Sequence, residues 1–386
     1  MSQFDATEVR LTWRSPLVER LREQGSLRFG AIEILLPRSF GFCWGVDRAL
    51  AMVEEARRQH AGRPLWLISS IIHNPRVNQD LRQKGIRFLR GEHAEPGAWQ
   101  RISAADVVIV PAFSAPVEDL EHLAARGVTV VDTTCPWGIK PHKRTLKFVK
   151  DGFTTVIHGT VGHEETDATC SLISHEGGEY LVVYSLAQAD VMARLLEGRA
   201  TTAELRAALP ARAFSPRFDP ARHLARVGVI NQTTMLASES RAVGDRLRAA
   251  LLARDGPAGL EESFRDFDTI CRATQDNQDA AQEVADTRPD LYLVVGGYDS
   301  SNTKNLARVG DGAGAGSFHI EGPECLEEGW ITHRERASGK IERQRDWLPA
   351  HRPLRIAFSA GASTPDALLG ETIAKLLALA GERADG

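Results

Sequence analysis

The chain has 386 residues, with 47 Lys and Arg against 51 Asp and Glu, 42% hydrophobic and 25% charged residues, and five cysteines. That length accommodates two or three domains with a sizeable core, which excludes a peptide or a disordered tail. The formal charge of -4 marks no nucleic-acid or anionic-membrane binder, and no apolar run approaches the roughly 18–20 residues that a membrane span needs.

Residues 1–30 carry Asp5, Glu8, Glu19 and Glu23 and lack an apolar signal-type run, so they read as the N-terminal extension of a cytoplasmic protein. The first α/β unit, 31–132, opens on Ser39-Phe40-Gly41-Phe42-Cys43-Trp44-Gly45, and Val46, Leu50 and Val53 follow at helical spacing. A strand at 65–68 leads to His73-Asn74, thirty residues after Cys43, and a strand at 106–110 ends in Pro111-Ala112-Phe113-Ser114. The second unit, 133–267, opens on the turn Asp132-Thr133-Thr134-Cys135-Pro136-Trp137-Gly138. Its strand at 154–157 leads to Gly162-His163-Glu164-Glu165, with His163 twenty-eight residues after Cys135. An Ala- and Arg-rich insertion near 191–222 precedes the strand at 227–230 and its loop Asn231-Gln232-Thr233-Thr234.

The third unit, 268–386, starts at Asp268-Thr269-Ile270-Cys271, and the following helix pattern uses Ala273, Ala280, Ala281 and Val284. A strand at 291–295 leads to Gly297-Tyr298-Asp299-Ser300-Ser301-Asn302, with Ser300 twenty-nine residues after Cys271. The last strand, 355–358, ends in Ala360-Gly361-Ala362-Ser363 before a helix. The insertion, the extension and the glycine-rich stretch 310–316 are expected to be solvent-exposed additions. Neither a G-x-G-x-x-G nor a G-x-x-x-x-G-K-[ST] motif occurs, so no Rossmann or P-loop nucleotide site is supported.

Continuous Val/Ile/Leu strands alternating with helices predict an α/β fold of three pseudo-threefold-related units with small, mainly parallel sheets. Ligands collect at the carboxyl ends of such strands, where the unusual polar residues of this chain fall. Five cysteines without a Cys-x-x-Cys pair read as reduced thiols. Cys43, Cys135 and Cys271 share one register, whereas Cys170 and Cys325 lie outside it and read as inert thiols. Three thiolates from three units suit a cubane iron-sulfur cluster with one iron lacking a protein ligand; a catalytic zinc is the competing reading. His73, His163, Thr233, Thr234, Ser300, Ser301, Asn302 and Ser363 supply donors for an anion such as phosphate. Glu165, an acid in such a pocket, should have a raised pKa and could deliver a proton.

Eight motifs in one order, spanning about residues 31–380, resemble the 4-hydroxy-3-methylbut-2-enyl diphosphate reductase (IspH or LytB) family. They are Gly41-Phe42-Cys43-Trp44-Gly45-Val46-Asp47-Arg48-Ala49, Ile72-His73-Asn74, Asp132-Thr133-Thr134-Cys135-Pro136, Gly162-His163-Glu164-Glu165-Thr166, Asn231-Gln232-Thr233-Thr234, Asp268-Thr269-Ile270-Cys271, Ser300-Ser301-Asn302 and Ala360-Gly361-Ala362-Ser363-Thr364-Pro365-Asp366. The resemblance implies reductive dehydroxylation of an allylic diphosphate to isopentenyl and dimethylallyl diphosphate, the last step of the methylerythritol phosphate route to isoprenoids. It implies one [4Fe-4S] cluster per chain, ligated by Cys43, Cys135 and Cys271 around a central site. Glu165 matches the family's proton donor, with Thr233 in its hydroxyl relay. His73, His163, Ser300, Asn302 and Ser363 match its diphosphate contacts, and Ser301 and Thr274 lie beside them.

Pro111-Ala112-Phe113-Ser114 stands where many bacterial members carry a His-Gly loop, a feature that resembles the plant and cyanobacterial branch. Glu164 replaces a more usual proline. The chain carries no flavin or nicotinamide motif, so an external donor of the ferredoxin or flavodoxin type is expected. No nucleic-acid or membrane partner is expected, and the assembly is a monomer or homodimer. Two alternatives remain: a quinolinate-synthase-like open-iron [4Fe-4S] enzyme and a non-catalytic iron-sulfur sensor.

Overall fold

A computed structural model describes residues 12–310, 316–336 and 338–384. The fold is α/β with small, mainly parallel sheets. By compactness the chain divides into Met1–Pro96 with Arg272–Gly386 as one unit and Gly97–Cys271 as another.

In the first unit, Ile32–Leu35, Leu354–Ala360, Leu291–Val295 and Gly316–Ile320 lie side by side, all parallel. All five residues of Leu291–Val295 are buried, as expected of an apolar strand covered on both faces. One face packs Ile34, Leu293, Ile356 and Phe358 against Leu369, Ile373 and Leu376 of the helix Asp366–Leu379. The other packs Tyr292, Val294 and Ala357 against Ala281 and Leu306 of two further helices. Antiparallel strands extend both ends of the sheet: Ser26–Phe29 beside Ile32–Leu35, and Trp330–Arg334 with its partner Ile341–Arg345. A separate pairing in this unit joins Leu65–Leu67 to Arg87–Phe88.

The second unit holds a fully parallel sheet in the order Phe264–Asp266, Val227–Asn231, Thr154–His158, Tyr180–Val183. It also holds the parallel pair Val107–Val110 and Thr129–Asp132. The helix Ala237–Ser263 bends at Gly256, whose φ of 69° leads into Pro257.

Two expectations are corrected. The insertion is no solvent-exposed addition: it overlaps the helix Leu186–Leu196 and includes Thr202–Ala208, and Met192, Leu196, Leu205, Phe214 and Phe218 are buried in the same core as Val243, Leu247 and Leu251. Its apolar residues are sparse, but they recur at the spacing of one helix face, and that outweighs an Ala- and Arg-rich average. The part of the N-terminal extension among the described residues is likewise built in. Ser15 caps the helix Pro16–Gln24, its hydroxyl accepting from the Val18 N–H at 3.4 Å, and Val18 and Leu21 enter the core. Residues 1–11, and residues 311–315 of the glycine-rich stretch, lie outside the described residues. The helix Arg272–Ala285 also differs in detail, because it turns Thr274, Asn277 and Gln278 inward beside Ala281.

If the insertion is core, Met192→Ala should lower unfolding free energy by about 2–5 kcal/mol. Anaerobic denaturant unfolding checks this, and an unchanged midpoint would restore the reading of a surface addition.

Candidate active site

Each of the three register cysteines lies between a strand and the next helix, and each is held by the same backbone bond. The Cys43 N–H donates to the Ala362 carbonyl at 3.3 Å, Cys135 to Ala112 at 2.8 Å, and Cys271 to Thr233 at 3.1 Å. Each acceptor lies two residues beyond the end of the adjoining parallel strand, at Ala360, Val110 and Asn231. Parallel pairing and an equal overrun therefore place the three thiols alike. Aspartates ahead of two of them reinforce the turn, Asp132 accepting from the Thr134 N–H and Asp268 from the Ile270 N–H, both at 2.9 Å. None of the five cysteines forms a disulfide; the register three are partly exposed, while Cys170 and Cys325 are buried. Burial pushes the Cys170 thiol up, which keeps it protonated and inert.

The Gly97–Cys271 unit brings Glu165, Thr233 and Cys271 together. Glu165 begins the second position of the helix Glu164–His175 and is buried. Its Oε1 accepts from the Thr233 N–H at 2.7 Å, and the Thr233 hydroxyl also bonds the carboxyl. Burial nevertheless dominates and raises Glu165 from 4.5 to about 7. His163 caps this helix, its Nδ1 accepting from the Glu165 N–H at 3.3 Å. That bond leaves Nε2 as the nitrogen that carries the proton of the neutral ring. The structure adds Gln232, which the sequence reading did not single out. Its Oε1 accepts from the Thr160 N–H at 2.9 Å and the Thr166 hydroxyl at 3.2 Å, and its Nε2 donates to the Thr234 hydroxyl at 3.0 Å. Glu164 is half-buried beside Glu165. In the loop at 111–114, Ser114 adopts the left-handed φ of 77°, an uncommon conformation for a residue with a side chain.

In the other unit, the loops bearing His73, Ser300–Asn302 and Ser363 are knitted together. The Ser363 hydroxyl donates to the His73 carbonyl at 3.3 Å, and Asn302 Oδ1 accepts from the Ala362 N–H at 2.9 Å. The Ser300 hydroxyl accepts from the Thr303 N–H at 3.3 Å, capping the helix that starts at Ser301. A Cβ at Gly297 would come within 2.5 Å of the His73 carbonyl, so this approach requires glycine. Asn302 Nδ2 is buried without a partner, an arrangement that costs free energy unless a ligand accepts from it. Ser301, next to Ser300, and Thr274, just past Cys271 in the chain, are both buried.

Burial lowers His73 to about 4, against an opposing pull from Asp299, so its ring is neutral near pH 7. Lys304 acts on the same ring electrostatically and is an ammonium the sequence reading missed. From outside the loop, His319 Nε2 bonds the Gly296 carbonyl at 2.9 Å, Glu321 accepts from the Tyr298 N–H at 2.9 Å, and Arg334 donates to the Tyr298 carbonyl at 3.0 Å. These three fix the backbone that aims Ser300–Asn302. Among the described residues, no group of three or more His, Cys, Asp and Glu side chains is close enough to hold a metal ion by itself.

A family model described as LytB protein matches residues 34–377. The chain belongs to the LytB family. A relative named 4-hydroxy-3-methylbut-2-enyl diphosphate reductase from Gloeobacter violaceus is 41% identical over 380 residues, covering 97% of this chain and 89% of that protein. A relative of the same name from Synechococcus is 41% identical over 377 residues, covering 97% and 92%. Both sources are cyanobacterial, in keeping with the branch that the 111–114 loop suggested. Two solved structures share the LytB fold. One, described as (E)-4-hydroxy-3-methyl-but-2-enyl diphosphate reductase, the terminal enzyme of the non-mevalonate pathway, has a TM-score of 0.53 at 24% identity and covers 90% of this chain and 99% of that one. The other, an E-1-hydroxy-2-methyl-but-2-enyl-4-diphosphate reductase from Plasmodium falciparum, has a TM-score of 0.65 at 19% identity and covers 90% and 88%.

For this LytB chain the raised Glu165 has a signed consequence for stability. The folded state keeps a proton that the unfolded chain releases above about pH 4.5, so stability falls as pH rises from there to about 7. Glu165→Gln removes that loss. Its Tm relative to the unsubstituted protein should therefore rise between pH 5 and pH 8 in anaerobic thermal scans; parallel profiles would show that the carboxyl is not held neutral.

Proposed function

We propose that the chain reduces 4-hydroxy-3-methylbut-2-enyl diphosphate to isopentenyl and dimethylallyl diphosphate. The carrying observation is a carboxylic acid held near neutral pKa by burial, bonded to Thr233, whose carbonyl in turn accepts from Cys271, in a chain of the LytB family. The relatives bear that reductase name across nearly the full chain, and they favour neither the quinolinate-synthase-like alternative nor the sensor.

The fit to an iron-sulfur cluster rests on the thiols themselves. Cys43, Cys135 and Cys271 are partly exposed and in no disulfide, and their amides are all committed to neighbouring loops. They are the residues that would hold a [4Fe-4S] cluster. When bound, such a cluster supplies Lewis acidity and a path for electrons into the C–O bond. Glu165 provides a proton: the Thr233 N–H holds Oε1 as an acceptor, so the proton of the neutral acid belongs on Oε2. The Thr233 hydroxyl, bonded to that carboxyl, extends it as a relay.

The diphosphate contacts belong to the same proposal. His163 offers Nε2–H, His73 a neutral ring, Asn302 its buried Nδ2–H, and Ser300, Ser301 and Ser363 their hydroxyls. The division into three related units at 132 and 267 is also proposed, supported by the three like strand-cysteine-helix turns. Reduction needs an external one-electron donor, of the ferredoxin or flavodoxin type. No helix among the described residues is long and apolar enough to cross a membrane. The cytoplasmic setting is part of the same proposal.

Anaerobically isolated protein should be brown. Cys43→Ser, Cys135→Ser and Cys271→Ser should each lose iron and sulfide, whereas Cys170→Ser and Cys325→Ser should keep both; stoichiometric zinc without sulfide would refute the cluster. Glu165→Gln should retain cluster and substrate binding while kcat falls by roughly 10²–10⁴. Anaerobic turnover of the hydroxylated diphosphate with product analysis tests this, and unchanged kcat would remove Glu165 from proton delivery.

A further inference from the structure

The segment leading out of Cys135 carries a surface that the chemistry above does not use. From Cys135 to Lys150 there are five Lys and Arg and no acid, in a chain whose formal charge is -4. The helix Lys140–Lys150 buries Pro141, Thr145 and Phe148. Lys143, Leu146, Lys147 and Lys150 recur at three- and four-residue spacing on its exposed side, with Arg144 next to them. Trp137 heads this stripe at 48% exposure, with the Lys140 ammonium 5.6 Å from its ring centroid, and Leu146 is 41% exposed. Arg144 stacks on Phe267 at 4.0 Å, and Asp151 pairs with Lys147 at 2.9 Å, a contact between two largely solvated side chains.

A solvated helix face ordinarily mixes both signs of charge and exposes few large apolar groups. Here basic side chains flank a tryptophan and a leucine along the helix, and the acid just past its end, Asp151, pairs with Lys147. That combination of polar rim and aromatic centre is the composition of a docking patch. Weak electron-transfer complexes bury little area and depend on opposite charge to steer and orient the encounter. Trp137 stands two residues from a proposed cluster ligand.

We propose that this stripe docks an acidic one-electron carrier protein, with Trp137 and Leu146 at the centre of the contact and Lys143, Lys147 and Lys150 steering it. The inference rests on the reductase reading and names the partner of that reaction. Two reduced carriers are oxidised per turnover, each giving one electron. Together with two protons, these electrons cleave the substrate's C–O bond, and the hydroxyl departs as water.

The test compares two reductants in anaerobic steady-state assays, an acidic plant-type [2Fe-2S] ferredoxin and reduced methyl viologen. In the triple variant Lys143→Glu, Lys147→Glu, Lys150→Glu, KM for ferredoxin should rise tenfold or more and lose most of its salt dependence. Viologen-driven turnover should not fall. The milder Lys→Gln triple variant should give an intermediate ferredoxin KM and guards against misfolding. Unchanged ferredoxin KM and salt dependence would overturn the proposal, as would variants that lose binding to duplex DNA while carrier kinetics stay intact. Absence of viologen-driven turnover in the unsubstituted protein would instead defeat the reductase reading. Calorimetric binding of ferredoxin to the unsubstituted and triple-variant proteins would then still decide the docking surface.

Discussion

One backbone hydrogen bond, used three times, organises the candidate site: the cysteine N–H donates to a carbonyl two residues beyond the adjoining strand. It is available because the strand ahead of each cysteine runs parallel to that neighbour, so both chains leave the sheet at the same end. A parallel ladder needs long crossovers, and those crossovers are the helices that cover the sheets. The bond therefore ties each of these cysteines to the loop just beyond the neighbouring strand. Serine, threonine and asparagine at the same strand ends inherit this rigidity.

Rigidity carries a cost that the polar loops make visible. Asn302 buries an amide nitrogen without a partner, and Glu165 and His73 each occupy a place where burial works against charge. An apolar residue at any of these positions would suit a plain core better. The surrounding structure holds them in place: Thr233 supplies two bonds to Glu165, while His319, Glu321 and Arg334 hold the backbone beside Ser300–Asn302. Between about pH 4 and pH 7 Glu165 and His73 are both mainly neutral. An uncharged Glu165 keeps a proton to give, and an uncharged His73 can donate a hydrogen bond without fixing a counter-ion of its own.

Much of the fold was legible because strands covered on both faces leave unbroken apolar runs. The strands at 107–110, 227–231 and 291–295 appear where such runs occur. The insertion was misread because average composition hides face: Met192, Leu196 and Leu205 are few, yet they all point inward. Gln232, Lys304, His319 and Arg334 were missed for another reason. Each acts on a loop through a contact that strand pairing or chain return creates, and no local spacing encodes such a contact.

The sequence by itself determined the residue types and their register: three cysteines at strand-to-helix turns, an acid beside a histidine, and hydroxyls and amides at strand ends. Periodicity and turn chemistry are local, so they survive in one dimension. Tertiary structure alone decided which carbonyl each cysteine amide meets, that the Thr233 N–H reaches Glu165 across sixty-eight positions of chain, and that burial raises this carboxyl to about 7. Desolvation depends on every group packed around a site, and that information exists only once the chain has folded.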